Sequence, residues 1–190
     1  MQNGHSELEA VRDHFWHHGY AASSITELVK ASGTNRAALY GQYGGKDGLF
    51  AACLHDYARH IVAPALAEMR SRPGLEGIER YFKFQIALAD EGGLPGPGCL
   101  MANTMAERSA HDARVRQIVW NHMSALRKGF TRNLNQVVPL NASPDRVGRM
   151  ADLCVVTAQG LWTVSRTVET PGPLYDVVST FLQALKGDQP

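Results

Sequence analysis

Residues 24–50, SITELVKASGTNRAALYGQYGGKDGLF, constrain this chain more than any other stretch. Ser24 can cap a helix, and Glu27 stands three residues on, the spacing of a capping box. Ile25, Leu28 and Val29 then share one helical face. Ser32-Gly33-Thr34 breaks that helix, because glycine enters the left-handed region without steric cost. Thr34 or Asn35 can cap a second helix. We expect that helix over Asn35–Tyr40, ended by Gly41, with Ala38 and Leu39 inward and Asn35, Arg36 and Ala37 outward. Two short helices across a tight turn form a helix-turn-helix, whose second helix offers its N-terminal end to base edges. Arg pairs bidentately with guanine and Asn with adenine. Tyr40, Gln42 and Lys46 are within reach of phosphates, which set register and supply affinity. Spacing alone leaves open a helical protein that never meets DNA, or a helical adaptor.

The wider stretch Phe15–Leu54 links more features in register. Phe15-x-x-x-Gly19-Tyr20 ends helix one, and Ser24 starts helix two. A glycine turn follows, Leu39-Tyr40 closes helix three with an aromatic just beyond, and Lys46-Asp47-Gly48-Leu49-Phe50 opens helix four. This stretch resembles the N-terminal domain of TetR-family transcriptional regulators. The resemblance implies an all-α fold: a three-helix helix-turn-helix DNA-binding domain over 1–50, and a helical ligand-binding and dimerisation domain over 51–190. It places Asn35, Arg36 and Ala37 at bases. It places Ser24, Thr26, Tyr40, Gln42 and Lys46 at phosphates, with Thr34 at the helix entry counted among the DNA contacts. Ala37 and Ala38 offer only methyl groups, so base reading rests on Asn35 and Arg36. Gly41 and Gln42 stand where the family often has larger or ring side chains.

Charge tempers the DNA reading. Net charge is +1, and residues 1–60 hold five Lys/Arg against six Asp/Glu. Weak nonspecific affinity is expected, with the bases gathered on one face. The same segment carries His5, His14, His17, His18, His55 and His60, so DNA affinity is expected to rise below about pH 6.5. His14 and His18 sit at i,i+4, but no Cys or carboxylate joins them at persuasive spacing. We expect no metal and no cofactor.

The remaining chain reads as helices. The first runs from Ser6 to His18, stopped by Gly19. Helix four runs from Lys46 to about Arg70, and Pro64 should kink it one turn earlier. That kink is either a hinge or a static bend. Leu75–Glu91 is aromatic, and the glycine- and proline-rich 92–98 is a loop and a candidate lid. Cys99–Ser109, Asp112–Val138 (stopped by Pro139), a helix opened by Ser143-Pro144 and reaching about Val168, and Leu174–Lys186 complete the set. The middle of the penultimate helix, Leu153–Val164, is apolar or small on nearly every side, so a partner subunit is one way to cover it. The last two helices resemble the family's dimerisation pair. A homodimer of this kind reads a palindromic double-stranded operator. Tyr81, Phe84, Met101, Met105, Trp120, Met123 and Trp162 are the expected walls of a pocket for a small organic effector, with ordinary core as the plain alternative.

No apolar run approaches about 18 residues, so no membrane span is expected. MQNGHSELEA has neither the basic region nor the apolar core of a signal peptide. Three scattered cysteines build no disulfide framework, and a reducing cytoplasm is the expected compartment. We expect no enzyme, since paired carboxylates, a nucleophile elbow and a metal cluster are all missing. A small-molecule enzyme on a helical scaffold stays a minor alternative. Another alternative is a thiol-sensing repressor using Cys53, Cys99 or Cys154.

Overall fold

The computed structural model describes residues 7–137 and 145–186. Ser6, Val138, Pro139, Ser143 and Pro144, expected at helix ends, lie outside them. Among the described residues the regular structure is helical, with no strand. The elements are α1 (Glu7–Ala22), α2 (Ile25–Ser32), α3 (Arg36–Tyr43), α4 (Lys46–Tyr57), a π-helical turn (Ala58–Val62), α5 (Ala63–Ser71) and α6 (Gly74–Glu91). Next come α7 (Leu100–Glu107), α8 (Ala113–Leu134), α9 (Asp145–Val164) and α10 (Gly172–Lys186).

Several boundaries differ from the sequence expectation. Gly19 (φ 79°, ψ 171°) breaks α1, but a further turn runs on to Ala22. α3 does not stop at Gly41; it continues to Tyr43 and closes at Gly44, whose N–H bonds back to the Tyr40 carbonyl. A glycine inside a helix costs only about 1 kcal/mol, so it need not end one. Ala38 is exposed, not inward. At 3.6 residues per turn the buried stripe of so short a helix is Leu39 with half-buried Tyr43, and Ala38 falls outside it. The predicted kink before Pro64 is a π-turn. Proline has no N–H to donate four residues back, and the wider turn lies where that bond is missing. α8 ends at Leu134 and α9 at Val164, each followed by a hydrogen-bonded turn. α10 begins at Gly172, because Pro173 suits the first turn of a helix.

The chain forms two compact units. The first holds residues up to Ile61 together with Cys99–Asn121; the second holds Val62–Gly98 and the rest from His122. In the first unit, α1 packs on α2, α4 and α7, and α3 packs on α4. Phe15 is fully buried and meets Phe50 edge-on at 4.9 Å. Tyr20 meets Phe50 at 5.0 Å, and Trp16 meets Tyr57 at 5.0 Å. Leu28, Leu39, Leu49 and Leu54 fill the space between the helices. Burial of each such side chain stabilises by about 1.5–3 kcal/mol. Leu100, Met101, Val115 and Ile118 add the buried contribution of the later segment.

In the second unit α6 packs on α5 and α10. Its centre is aromatic. Phe130 stands edge-on to Tyr81 at 5.4 Å and stacks with Phe82 at 6.0 Å, while Phe181 closes on Phe82 at 6.0 Å.

Candidate nucleic-acid interface

The α2–turn–α3 pair is built by local chemistry. Ser24 Oγ accepts from the Glu27 N–H (3.2 Å), and the Glu27 carboxylate accepts from the Ser24 N–H (2.7 Å), which completes the capping box. That backbone bond also holds the Glu27 carboxyl below the usual range. Gly33 (φ 68°) makes the turn. Asn35 caps α3, its Oδ1 accepting from the Ala38 N–H at 2.9 Å. Gly48 lets α4 approach α3, since a Cβ there would lie 1.7 Å from the Tyr43 carbonyl oxygen.

The outward face of α3 is Arg36, Ala37, Ala38, Tyr40, Gly41 and Gln42, all exposed. Arg36 lies over the Tyr40 ring, 5.2 Å from its centroid. Asn35 is also exposed, but its carbonyl oxygen is committed to the cap. A bidentate Asn35–adenine contact would therefore break that cap, and only the amide N–H groups are free to read. Ser24 keeps its hydroxyl proton free for a phosphate. Thr26 is exposed, and Thr34 is half-buried with its N–H on Ser32 Oγ.

Lys46 is half-buried, with its ammonium 4.1 Å from the centroid of the Tyr20 ring. Arg108 lies 4.0 Å from the same ring. The Tyr20 hydroxyl donates to Asp47, and Arg108 donates to Asp47 (3.2 Å) and Asp112 (3.0 Å). The Glu107 carboxylate accepts from the Tyr20 and Ala21 N–H groups at 2.9 and 2.7 Å. These donors follow the break at Gly19, so α7 satisfies backbone groups that α1 leaves open. Burial, reinforced by Asp47, pushes the Tyr20 hydroxyl up to about 12. Burial also lowers the Lys46 pKa, against the pull of Glu107. Sequence reasoning missed Glu107 and Arg108, because nothing local marks a residue whose partner is more than eighty positions away.

The acids that outnumber the bases are largely occupied. Buried Arg12 holds Asp13 (2.7 Å), Asp56 (2.8 Å) and Glu9 (3.4 Å). Burial lowers the Arg12 pKa, but the bonds and charges of Asp13 and Asp56 outweigh it, and the net shift is upward. With Glu27 in its box and Asp47 on Tyr20, what faces outward from α2 and α3 is Lys30 and Arg36.

Other expected sites fare unevenly. His14 and His18 stack with centroids 4.3 Å apart, and the His18 Nδ1 lies 2.9 Å from the His14 carbonyl. Among the described residues no three His, Cys, Asp or Glu gather where they could hold a metal. Of the expected pocket walls, Tyr81, Met101 and Trp162 are buried, and Phe84 and Met123 are half-buried. Trp120 is 66 % exposed and Met105 39 %, so neither lines an interior. Their places in α8 and α7 turn these side chains away from the buried stripes of Val115–Ile118 and Leu100–Met101. Tyr81, Phe84, Met123 and Trp162 belong to the second unit, whereas Met101, Met105 and Trp120 belong to the first. All three cysteines are free and buried. Burial pushes each thiol up, Cys154 to about 12. A sensing thiol needs exposure and a lowered pKa, and these three cysteines are buried with raised ones. Among the described residues no helix is long and apolar enough to cross a membrane.

Two short helices across a tight turn, the second with an exposed outer face, form a helix-turn-helix. Residues 8–53 match the family described as bacterial regulatory proteins, tetR family. A stretch of 62 residues is 40 % identical to the HTH-type transcriptional repressor ComR of Escherichia coli (strain K12); it covers 33 % of this chain and 30 % of that relative. The fold extends further. A cysteine mutant of the TetR family transcriptional regulator CifR, complexed with 26-bp operator DNA, superposes with a TM-score of 0.82 at 20 % identity, over 94 % of both chains. A TetR family regulator from Cytophaga hutchinsonii gives 0.82 at 16 % identity, over 95 % of this chain and 92 % of that one. The match to the tetR family thus rests on residues 8–53, and the rest of the chain shares the fold of these regulators.

Proposed function

We propose that this protein is a DNA-binding transcriptional repressor that holds a palindromic operator as a homodimer and releases it on binding a small organic effector. The observation that carries this reading is the outward face of α3, free of acids and carrying Arg36 beyond a completed capping box. The ComR relative is a repressor, and CifR is described on operator DNA. Arg36, Ala37 and the Asn35 amide group meet bases. Ser24, Thr26, Thr34, Tyr40, Gln42 and Lys46 hold the backbone. The reader occupies residues 1–50, and 51–190 bind the effector and the partner subunit.

Dimerisation through α9 and α10 is supported by an apolar stripe left open on the protomer. Leu153, Val156 and Val164 are 50, 66 and 48 % exposed, and Val177 on α10 is 47 % exposed. The stripe follows a 3–4 spacing along α9, with open Gly160 between, so a second copy can approach closely. The chain passes from the first unit to the second inside the π-turn at 58–62. We place the hinge there, where effector binding alters the spacing of the two readers. To do so the effector must bind the two states with affinities differing by a few kcal/mol. Such a repressor works in the cytoplasm, where its operator lies.

The test is a salt-dependent titration of the protein against the DNA upstream of its own reading frame and a scrambled duplex. Selective binding at dimer stoichiometry is expected. Arg36→Ala should weaken specific binding by about 1–3 kcal/mol and relax selectivity, while Lys46→Ala weakens all sequences alike. Unchanged operator selection by Arg36→Ala would sink the placement of the reading helix.

A further inference from the structure

Buried polar groups in a folded protein are almost always paired, and each exception calls for an explanation. Among the described residues of the second unit four polar side chains are buried: His122, Asn133, Gln159 and Ser165. Two are satisfied. Asn133 donates to the Met69 and Gly129 carbonyls at 3.3 and 3.1 Å, and Ser165 to the Trp162 carbonyl at 2.9 Å. The other two are not. His122 and Gln159 are each 7 % exposed, and both ring nitrogens of His122 and both amide atoms of Gln159 are without a partner among the described residues. Among the described residues of the unit the other unpaired atom of this kind is the Thr131 hydroxyl, on a half-buried residue.

Register brings the two orphans to one level. α6 and α8 run antiparallel: Gly74 abuts Val137, Gly77 abuts Asn133, and Tyr81 meets Phe130. Gly98, seven residues past the end of α6, abuts Trp162 on α9 and Arg166 just beyond its end. The C-terminal side of α6 thus lies toward the N-terminal side of α8 and the C-terminal side of α9. Arg127 joins α8 to α9 through Asp152 at 2.5 Å. Measured from that bond toward the same end, His122 lies about 8 Å along α8 and Gln159 about 10 Å along α9, at 1.5 Å per residue. Both side chains therefore stand at a similar height toward that end of the unit.

We propose that His122 and Gln159 are the polar recognition groups of the effector site, and that this site takes an uncharged organic molecule with both a hydrogen-bond donor and an acceptor, of the amide or alcohol class. The inference rests on reading the second unit as the effector-binding part. Neutral imidazole has one donor and one acceptor nitrogen, and the glutamine amide has both kinds of group, so the pair matches a ligand of mixed character. Charge is mismatched. Among the described residues of this unit no Asp, Glu, Lys or Arg is buried, and an ionised ligand would stay unpaired there. Burial alone pushes the His122 ring down to about 4, so it is neutral at physiological pH.

The experiment uses the full chain and matched amides, alcohols, carboxylates and ammonium ions on benzyl and octyl skeletons, read by thermal shift and calorimetry. The amides and alcohols should raise Tm and bind more tightly than their charged counterparts. His122→Leu and Gln159→Leu should each weaken that binding about tenfold. Their ligand-free Tm should hold or rise, because replacing an unpaired buried polar group by an apolar one is neutral or favourable. His122→Gln, which keeps a donor and an acceptor, should retain most of the affinity and covers the case in which a leucine variant fails to fold. The proposal is overturned by tighter binding of the carboxylates or ammonium ions, by unaltered affinity in both leucine variants, by a marked fall in their ligand-free Tm, or by no binding of any probe. Operator titration run in parallel separates the two readings. Probe binding without any DNA selectivity would remove the repressor and leave the site.

Discussion

The two units both have apolar cores and differ in what is added to them. The first adds pairings: a completed capping box, an asparagine cap, a buried arginine with three acids, and a tyrosine between Lys46 and Arg108. The second is specified by an aromatic centre contributed by α6, α8 and α10, with ion pairs such as Arg80–Glu68 on half-exposed side chains. Polar pairing fixes geometry, which suits the proposed role of this unit in holding side chains in register with DNA. Apolar packing is less directional and tolerates repacking, which suits the proposed role of this unit in accepting a ligand. His122 and Gln159, unpaired in the second unit, extend the contrast.

The largest expected effects test the two kinds of core. Phe130→Ala removes the ring that Tyr81 and Phe82 pack against and should cost about 4 kcal/mol in urea unfolding. A cost below about 1 kcal/mol would mean the aromatic centre does not hold the second unit. Arg12→Met should cost about 3 kcal/mol, since it strands Asp56 and Asp13 beside an apolar stem. The loss should change little with added salt, because a buried pair is poorly screened. A neutral or stabilising Arg12→Met would show that the first unit also runs on packing alone.

The same contrast governs what was legible in the sequence. Ser24 with Glu27, the turn at Gly33 and the Lys-Asp-Gly-Leu-Phe opening of α4 are interactions between near neighbours, and their spacing announces them. The end of α3 was not legible, because a tolerated glycine and a terminating one look alike until the chain beyond is placed. The acids on Arg12 look like a surplus of negative charge in composition and are a buried network in space. Glu107 closing on Tyr20 and Ala21 spans eighty-odd residues and leaves no local mark. Trp120 looked like pocket and is surface, because helical spacing identifies a stripe but not which of two stripes faces inward.

The Tyr20 cluster gives a smaller, pH-dependent test. Its hydroxyl is held up to about 12 against an ordinary value near 10, so the fold prefers the protonated form. Its contribution is present in full below pH 10 and is lost as pH rises through 12. Wild type should therefore lose stability across pH 10–12, and Tyr20→Phe, which cannot ionise, should show a shallower loss. Parallel alkaline curves for the two proteins would mean that Asp47 and Arg108 do not hold this ring in solution.

The smallest effect separates two roles assigned to one side chain. Ser24 Oγ accepts the Glu27 N–H, and its proton remains for a phosphate. Ser24→Ala removes both and should cost about 1 kcal/mol of stability. Ser24→Asp keeps the acceptor and puts negative charge at a helix N-terminus, so stability should return to within a few tenths of a kcal/mol of wild type. In the proposed complex that charge faces the DNA backbone, so operator affinity should fall below that of Ser24→Ala while stability rises above it. The two variants thus move stability and affinity in opposite directions. If they bind the operator equally well, Ser24 is a cap alone, and the phosphate contacts of the reader belong to Thr26, Tyr40, Gln42 and Lys46.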